Sequence, residues 1–464
     1  MDKYKRLASN TLIFAIGTFS SKLLSFFLTR LYTEVLSTGQ YGVTDLIQQS
    51  GNLLLPLVTL GITNAVVRFG LEKGVRKQDV FTTGVLSLLG GMALLLLISP
   101  LLGMIDLLTE HVWLLCLFVF MSSLRSLCAQ FVRAQSRVKL FAIDGILSTA
   151  TTIGFNILFL VVLRDTAFGG VFGYIFSIIC SDALSVIFLF AVARLHRYIR
   201  FRDINFGQSR AMLKYSIPLI PNTILWWITN VSDRYIVAGI LGEGANGLYA
   251  AAYKIPSLIM LVSGIFMDAW QISAFTEEEG RDRFYTKVMS TYSSLLFVMA
   301  SGVILCTRFV PHVLFAEGYY EAWRYIPLLV VAMAFTCMVN FLGSIYMVEK
   351  KSVRSLMTAA LSAVVNVALN LWWIPMFGVN GAAAATLVCY LLVFAVRLWD
   401  TRRYIRIRWN YFRLIACTVI LMAQTVILLL EVPLWLLWEV LLFGVVLLLC
   451  GQGMVESARR LLRR

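Results

Sequence analysis

Five basic residues interrupt apolar runs long enough to cross a bilayer: Lys22, Arg30, Arg125, Arg234 and Lys254. Five acidic residues do the same: Asp45, Asp144, Asp182, Asp233 and Asp268. A charge at the bilayer centre costs about 2.5–3.5 kcal/mol on insertion scales, so it needs a partner or a polar cavity. Lys22, in Ser20-Ser21-Lys22-Leu23, lies too deep in its run for easy snorkelling, which favours a cavity cation facing an anionic ligand. Asp233 and Arg234 are adjacent and diverge by about 100° around a helix. They read either as a local ion pair or as an Arg234 turned to a cleft. Lys254, beside Pro256, also reads as a cavity cation. Arg125 sits among Ser122, Ser123 and Ser126, whose hydroxyls can satisfy it, so it is either structural or part of the cavity. Arg30, Asp45 and Asp144 fall near run ends, where an interfacial position is cheap. No Glu is expected deep in a span. Asn156, Asn366 and Asn370 read as interhelical hydrogen-bond glue. A cleft with more cations than buried carboxylates suits an anionic substrate.

Other chemistries lack their residues. No H-E-x-x-H, G-x-x-x-x-G-K-[ST] or G-x-S-x-G occurs, and the histidines (His111, His196, His312) lie at run ends or in loops. The eight cysteines form no C-x-x-C pair and read as small core hydrophobes. No metal site, cofactor or catalytic residue is expected, and an enzyme such as a membrane glycosyltransferase or polymerase is disfavoured. The outer loops are short and carry no paired carboxylates.

The elements that must position these charges are spans. Of 464 residues, 59% are hydrophobic and 14% charged, with a mean hydropathy of +0.81. A soluble domain is about 45–50% apolar and about 25% charged. Fourteen apolar runs can be marked, each near the length of about 20 residues that a spanning helix needs. The first, after Lys3-Tyr4-Lys5-Arg6, has no convincing cleavage site and reads as an uncleaved span. The net charge of +15 is a topology signal rather than a nucleic-acid surface. With the N-terminus inside, 32 of the 40 basic residues fall in inner segments; only Arg164, Arg308 and Arg324 fall in outer loops. Both termini are therefore expected in the cytoplasm.

An internal repeat divides the chain. Leu36-Ser37-Thr38-Gly39-Gln40-Tyr41-Gly42 and Leu241-Gly242-Glu243-Gly244-Ala245-Asn246-Gly247 share L-x-x-G-x-x-G, 205 residues apart. Phe168-Gly169-Gly170 and Gly173 are matched by Phe377-Gly378 and Gly381 at an offset of 208 or 209. Six helices per repeat is an even number, which keeps both copies parallel. The expected fold is an all-α integral membrane protein of about fourteen transmembrane helices. Two six-helix lobes (1–200 and 201–408) face a central cleft about a pseudo-two-fold along the membrane normal. Two further helices and a basic tail follow at 409–464. Pro56 and Pro256 should loosen the second helix of each lobe.

One stretch carries a family resemblance. Asn230-Val231-Ser232-Asp233-Arg234-Tyr235, Leu241-Gly242 and Gly247-Leu248-Tyr249 through Tyr253-Lys254-Ile255-Pro256 resemble the polysaccharide transporter family of lipid-linked oligosaccharide flippases. Leu28-Thr29-Arg30, Gln40-Tyr41-Gly42 and Ala65-Val66-Val67-Arg68-Phe69 fit the same pattern. The resemblance places the chain in the multidrug/oligosaccharidyl-lipid/polysaccharide exporter superfamily. It implies transport of an undecaprenyl-diphosphate-linked oligosaccharide from the inner to the outer leaflet of a bacterial cytoplasmic membrane, by alternating access. The product would feed O-antigen, capsule or exopolysaccharide assembly, with a polymerase and glycosyltransferases as pathway partners. Lys22, Arg234 and Lys254 would meet the diphosphate, the polyprenyl tail would stay among membrane lipids, and H+ or Na+ would be the candidate coupling ions. The alternative is a cation-coupled small-molecule or multidrug antiporter of the same superfamily.

Overall fold

The computed structural model describes residues 26–72, 74–104, 109–202, 204–276 and 280–462, with the side chains of 268–269, 271–276 and 452–462 excepted. Lys22 therefore lies outside the described residues, as does the side chain of Asp268. Every described element is a helix, as the apolar runs require. Nine described helices are long and apolar enough to cross a membrane, and two bent pairs bring these to eleven. The helix Ile220–Leu241, the shorter apolar helix Trp435–Gly451 and the first span, helical over residues 26–35 (α1), are compatible with fourteen. Large apolar side chains such as Leu97, Val364, Trp372 and Leu448 are exposed. Lipid as solvent makes that arrangement favourable.

The two bent pairs follow from their sequence. α2 (Thr38–Val58) opens with a capping box: Ser37 Oγ accepts from the Gln40 N–H, and Gln40 Oε1 accepts from the Ser37 N–H. Pro56 lies inside α2, and the chain breaks over Thr59-Leu60-Gly61 with Leu60 and Gly61 both left-handed. α3 (Ile62–Leu71) then leaves at 53°. The second copy of the glycine motif starts α10 (Glu243–Lys254) behind Gly242, whose φ of 93° suits glycine. Pro256 ends α10, and α11 (Ser257–Thr276) leaves at 44°.

The second motif is explained by close backbone approach. α7 (Gly170–Ala193) starts after Gly169, and a Cβ at Gly173 would strike the Phe168 carbonyl. α16 (Val379–Thr401) starts after Gly378, and a Cβ at Gly381 would strike the Trp373 carbonyl of α15 (Ser352–Phe377). Glycines 208 residues apart thus meet the same demand.

The chain forms two compact units, Met1–Trp227 and Ile228–Arg464. The first extends past the long basic loop near residue 200 because the next residues pack back on it. In α8 (Phe206–Ser216), Met212 shares a core with Ile62, Val66, Phe81 and Phe131, and Ser209 hydrogen-bonds Thr83. The indole of Trp227 donates to the Gln49 carbonyl at 2.9 Å. The second unit is built round α14 (Ile326–Val348), buried along nearly its whole length against α11, α12 (Arg281–Leu305), α16 and α17 (Tyr411–Leu429). The last helix, α18 (Trp435–Leu462), packs along α12 and α17.

Within the second unit the basic loops gather at one end. Arg281 pairs with Glu349 at 3.1 Å, Arg354 with Asp400 at 3.7 Å, and the Arg406 N–H donates to Asp282. At the other end of α12, Arg308 meets Glu431 and Trp435 from the turn between α17 and α18. Successive helices therefore alternate in direction, as the charge count requires.

Candidate functional site

In the first unit the buried charges condense into one network. Arg125 belongs to α5 (Val112–Ala134), Asp144 to α6 (Val138–Asn156) and Asp182 to α7. The Arg125 guanidinium lies 3.1 Å from Asp182 and 3.6 Å from Asp144, and its Nε donates to Ser185 at 3.0 Å. Ser122 donates to Asp182 and Ser185 to Asp144. The serine turn around Arg125 thus supplies little of its satisfaction; carboxylates on two other helices supply it. Asp144 is buried within the first unit. A burial of this kind is tolerable because each charge has an opposite partner and further hydrogen bonds. Two carboxylates on one guanidinium leave the group one negative charge in excess.

A polar ladder continues along α7. Ser181 bonds Ser148, Thr151 and Thr152 of α6, and Ser177 donates to Asn156, whose amide donates to Tyr32 of α1 at 3.1 Å. Residues 177, 181 and 185 recur every four positions, so they share one face of α7.

In the second unit Asp233, on α9 (Ile220–Leu241), is the hub. Its carboxylate accepts from Tyr249 at 2.7 Å, Tyr253 at 3.0 Å and Thr386 at 3.4 Å, and from the backbone N–H of Arg234 at 2.9 Å. It ties α9 to α10 and α16. One turn earlier Tyr390 donates to Asn230, and Ser232 to Asn366 of α15. Of the asparagines expected as glue, Asn156 and Asn366 make interhelical bonds, whereas Asn370 donates to Asn366 within α15.

Arg234 is 9% exposed, its guanidinium 4.5 Å from the Tyr253 ring centroid. A cation over an aromatic face gains about 0.5–2 kcal/mol, depending on desolvation. Lys254 follows Tyr253 as the last residue of α10, half-buried at the bend. Arg30 forms an ion pair with Glu34 at 2.6 Å on an accessible face of α1. Such exposed pairs contribute little.

Four further charges, Asp79, Arg397, Asp400 and Glu439, are buried and were not foreseen. Glu439 is buried about one turn into α18. Its Oε2 accepts from Gln424 of α17, whose carbonyl accepts from Ser301 of α12. Arg397, counted with the inner-loop cations, is buried in α16. It donates to Thr358 and to the Val339 carbonyl, against Gly343, where a Cβ would meet its Nη1. An i,i+3 spacing to Asp400 was the available signal for Arg397; a lone Glu in Trp435-Leu436-Leu437-Trp438-Glu439 was the signal for Glu439.

Bent apolar helices, glycine-started spans and a buried polar network in each unit define the class: a multi-pass membrane protein. The particular family follows from the sequence as a whole. The family model described as polysaccharide biosynthesis protein matches residues 7–271, more than half of the chain, and the chain belongs to that family. Among curated proteins it is similar to the probable low-salt glycan biosynthesis flippase Agl15 of Haloferax volcanii, 21% identical over 227 residues. That match covers 46% of this chain and 47% of the relative, so the chain spans about half the length of the curated relative it matches. Among solved structures, the fold is like that of the lipid II flippase MurJ in an inward closed conformation. The TM-score is 0.71 at 14% identity, over 96% of this chain and 99% of that one. It is also like an inward-facing multidrug resistance transporter of the MATE family, with TM-score 0.66 at 16% identity, over 83% of this chain and 94% of the other.

Proposed function

We propose that the chain is a flippase that moves an undecaprenyl-diphosphate-linked oligosaccharide from the inner to the outer leaflet of the bacterial cytoplasmic membrane. The reading makes it a transporter rather than an enzyme, serving O-antigen, capsule or exopolysaccharide assembly beside a polymerase and glycosyltransferases. The observation that carries the reading is membership of the polysaccharide biosynthesis family over residues 7–271. The flippase among its relatives supports it.

The residues supply a mechanism. Lys22, Arg234 and Lys254 offer positive charge to a diphosphate, and N+–H···O− bonds to phosphate are short and strong. The cargo itself offsets the cost of holding those charges at membrane depth. Asp233 is closed by its own donors and positions Arg234 rather than binding cargo. A coupling H+ or Na+ is better accommodated at Arg125, Asp144 and Asp182, where one negative charge is in excess. Transport proceeds by alternating access, with the tail remaining in hydrocarbon throughout.

The multidrug antiporter reading draws on the fold likeness to MATE transporters. Reconstitution separates the two. Proteoliposomes holding the purified chain should move a fluorescent undecaprenyl-diphosphate-linked oligosaccharide between leaflets and leave ethidium transport at background. Arg234→Ala and Lys254→Ala should each slow the flipping at least tenfold at unchanged abundance, and Arg234→Lys should restore part of it. Ethidium transport without glycolipid movement would establish the antiporter instead.

A further inference from the structure

At the end of the second unit opposite its basic loops lies a cavity of about 500 Å3, within the 300–1,000 Å3 usual for small-molecule sites. Its walls come from the segment after α12, from the 3-10 helix Glu317–Tyr325 and from the turn between α17 and α18. The lining is chemically mixed. Two arginines, Arg308 and Arg324, face three glutamates, Glu317, Glu321 and Glu431, giving one negative charge in excess. That balance disfavours a phosphate.

Arg324 donates to Glu321 at 3.4 Å, Arg308 to the Leu428 carbonyl at 3.3 Å and Tyr320 to the Arg308 carbonyl at 3.4 Å, all long bonds. Arg308 and Arg324 lie 3.7 Å and 3.9 Å from the same Glu431 oxygen, beyond hydrogen-bonding distance. Glu431 is 55% exposed and Glu321 58%. Arg308 is fixed between Trp323 and Trp435, at 4.5 and 4.9 Å from the two ring centroids, while its buried Nε has no hydrogen-bond partner. Tyr320 is half-buried, with one ring face against His312. Glu431 has a left-handed φ of 51°, a conformation that costs energy outside glycine and here presents the carboxylate to the cavity.

We propose that this cavity binds uncharged sugar residues of the transported glycan on the far side of the membrane. The inference rests on the flippase reading and extends it to the product side. Each sugar hydroxyl can donate to a carboxylate and accept from a guanidinium, so carboxylates and guanidiniums set a few ångströms apart suit a polyol. Tyr320, which lines the cavity, suits the C–H face of a pyranose ring. A diphosphate is met by cations elsewhere; the sugars, once across, are held here.

The test uses the full chain in detergent and glycan released by mild acid from the lipid-linked pool of cells that carry it. Calorimetric titration should show saturable binding that excess inorganic pyrophosphate leaves intact. The double variant Glu321→Gln/Glu431→Gln, at exposed positions that should not disturb folding, should weaken binding about tenfold. Tyr320→Ala should weaken it similarly. No saturable binding, unchanged binding in both variants, or displacement by pyrophosphate would overturn the assignment. Flipping in proteoliposomes, measured in parallel, keeps the two readings apart. Glycan binding without flipping removes the flippase reading and leaves the pocket; flipping without glycan binding does the reverse.

Discussion

Arg125 shows what two buried carboxylates demand of their surroundings. With Asp144 and Asp182 against it, removal of the guanidinium strands two carboxylates in a low-dielectric interior. Arg125→Ala should therefore destabilise the protein by about 3–5 kcal/mol. Thermal unfolding in detergent would measure it. The triple change to Arg125→Ala/Asp144→Asn/Asp182→Asn should recover most of that loss, because no charge is then left unpaired. A single variant as stable as the parent would contradict the network. The charges themselves were legible in the sequence, since any Arg or Asp inside an apolar run stands out. Their partners were not. Asp182 is 57 positions from Arg125, and the helix faces that bring them together are set by packing of α5, α6 and α7. Nearby serines were the visible acceptors, and they proved the lesser ones. Glu439 was missed for the same reason: its partner Gln424 is on another helix.

At the scale of elements, glycine spacing was the most informative feature. L-x-x-G-x-x-G starts a bent helix pair in each unit, and the Phe-Gly motif starts α7 and α16. Gly173→Ala and Gly381→Ala should each cost about 1–3 kcal/mol, because the added methyl meets a carbonyl that cannot move aside. Gly145→Ala, in α6 where a Cβ meets nothing within 4 Å, should instead stabilise by about 0.5–1 kcal/mol. Unfolding measurements that ranked Gly145→Ala as the most damaging of the three would refute this account. The prolines announced the breaks but not their depth. α2 runs 21 residues before its bend and α10 only 12, a difference the repeat offset does not contain.

For the molecule as a whole, composition and loop charge specify a multi-pass membrane protein. The charge pattern also predicts sidedness. In a cysteine-free background, cysteines placed at Glu243 and Arg202 should label from opposite faces of the membrane; labelling from one face would overturn the topology. The division into units was less legible, because α8 and the start of α9 pack back on the first unit through Met212 and Trp227 rather than starting the second. The central claim is that this chain carries a lipid-linked glycan outward, and its most direct test is where that glycan sits when the chain is withdrawn. Cells depleted of the chain should accumulate lipid-linked glycan that an impermeant hydrazide, after periodate oxidation, labels in inside-out vesicles and not in right-side-out ones. Restoring the chain should reverse the ratio. An unchanged distribution between the leaflets on depletion would contradict the account.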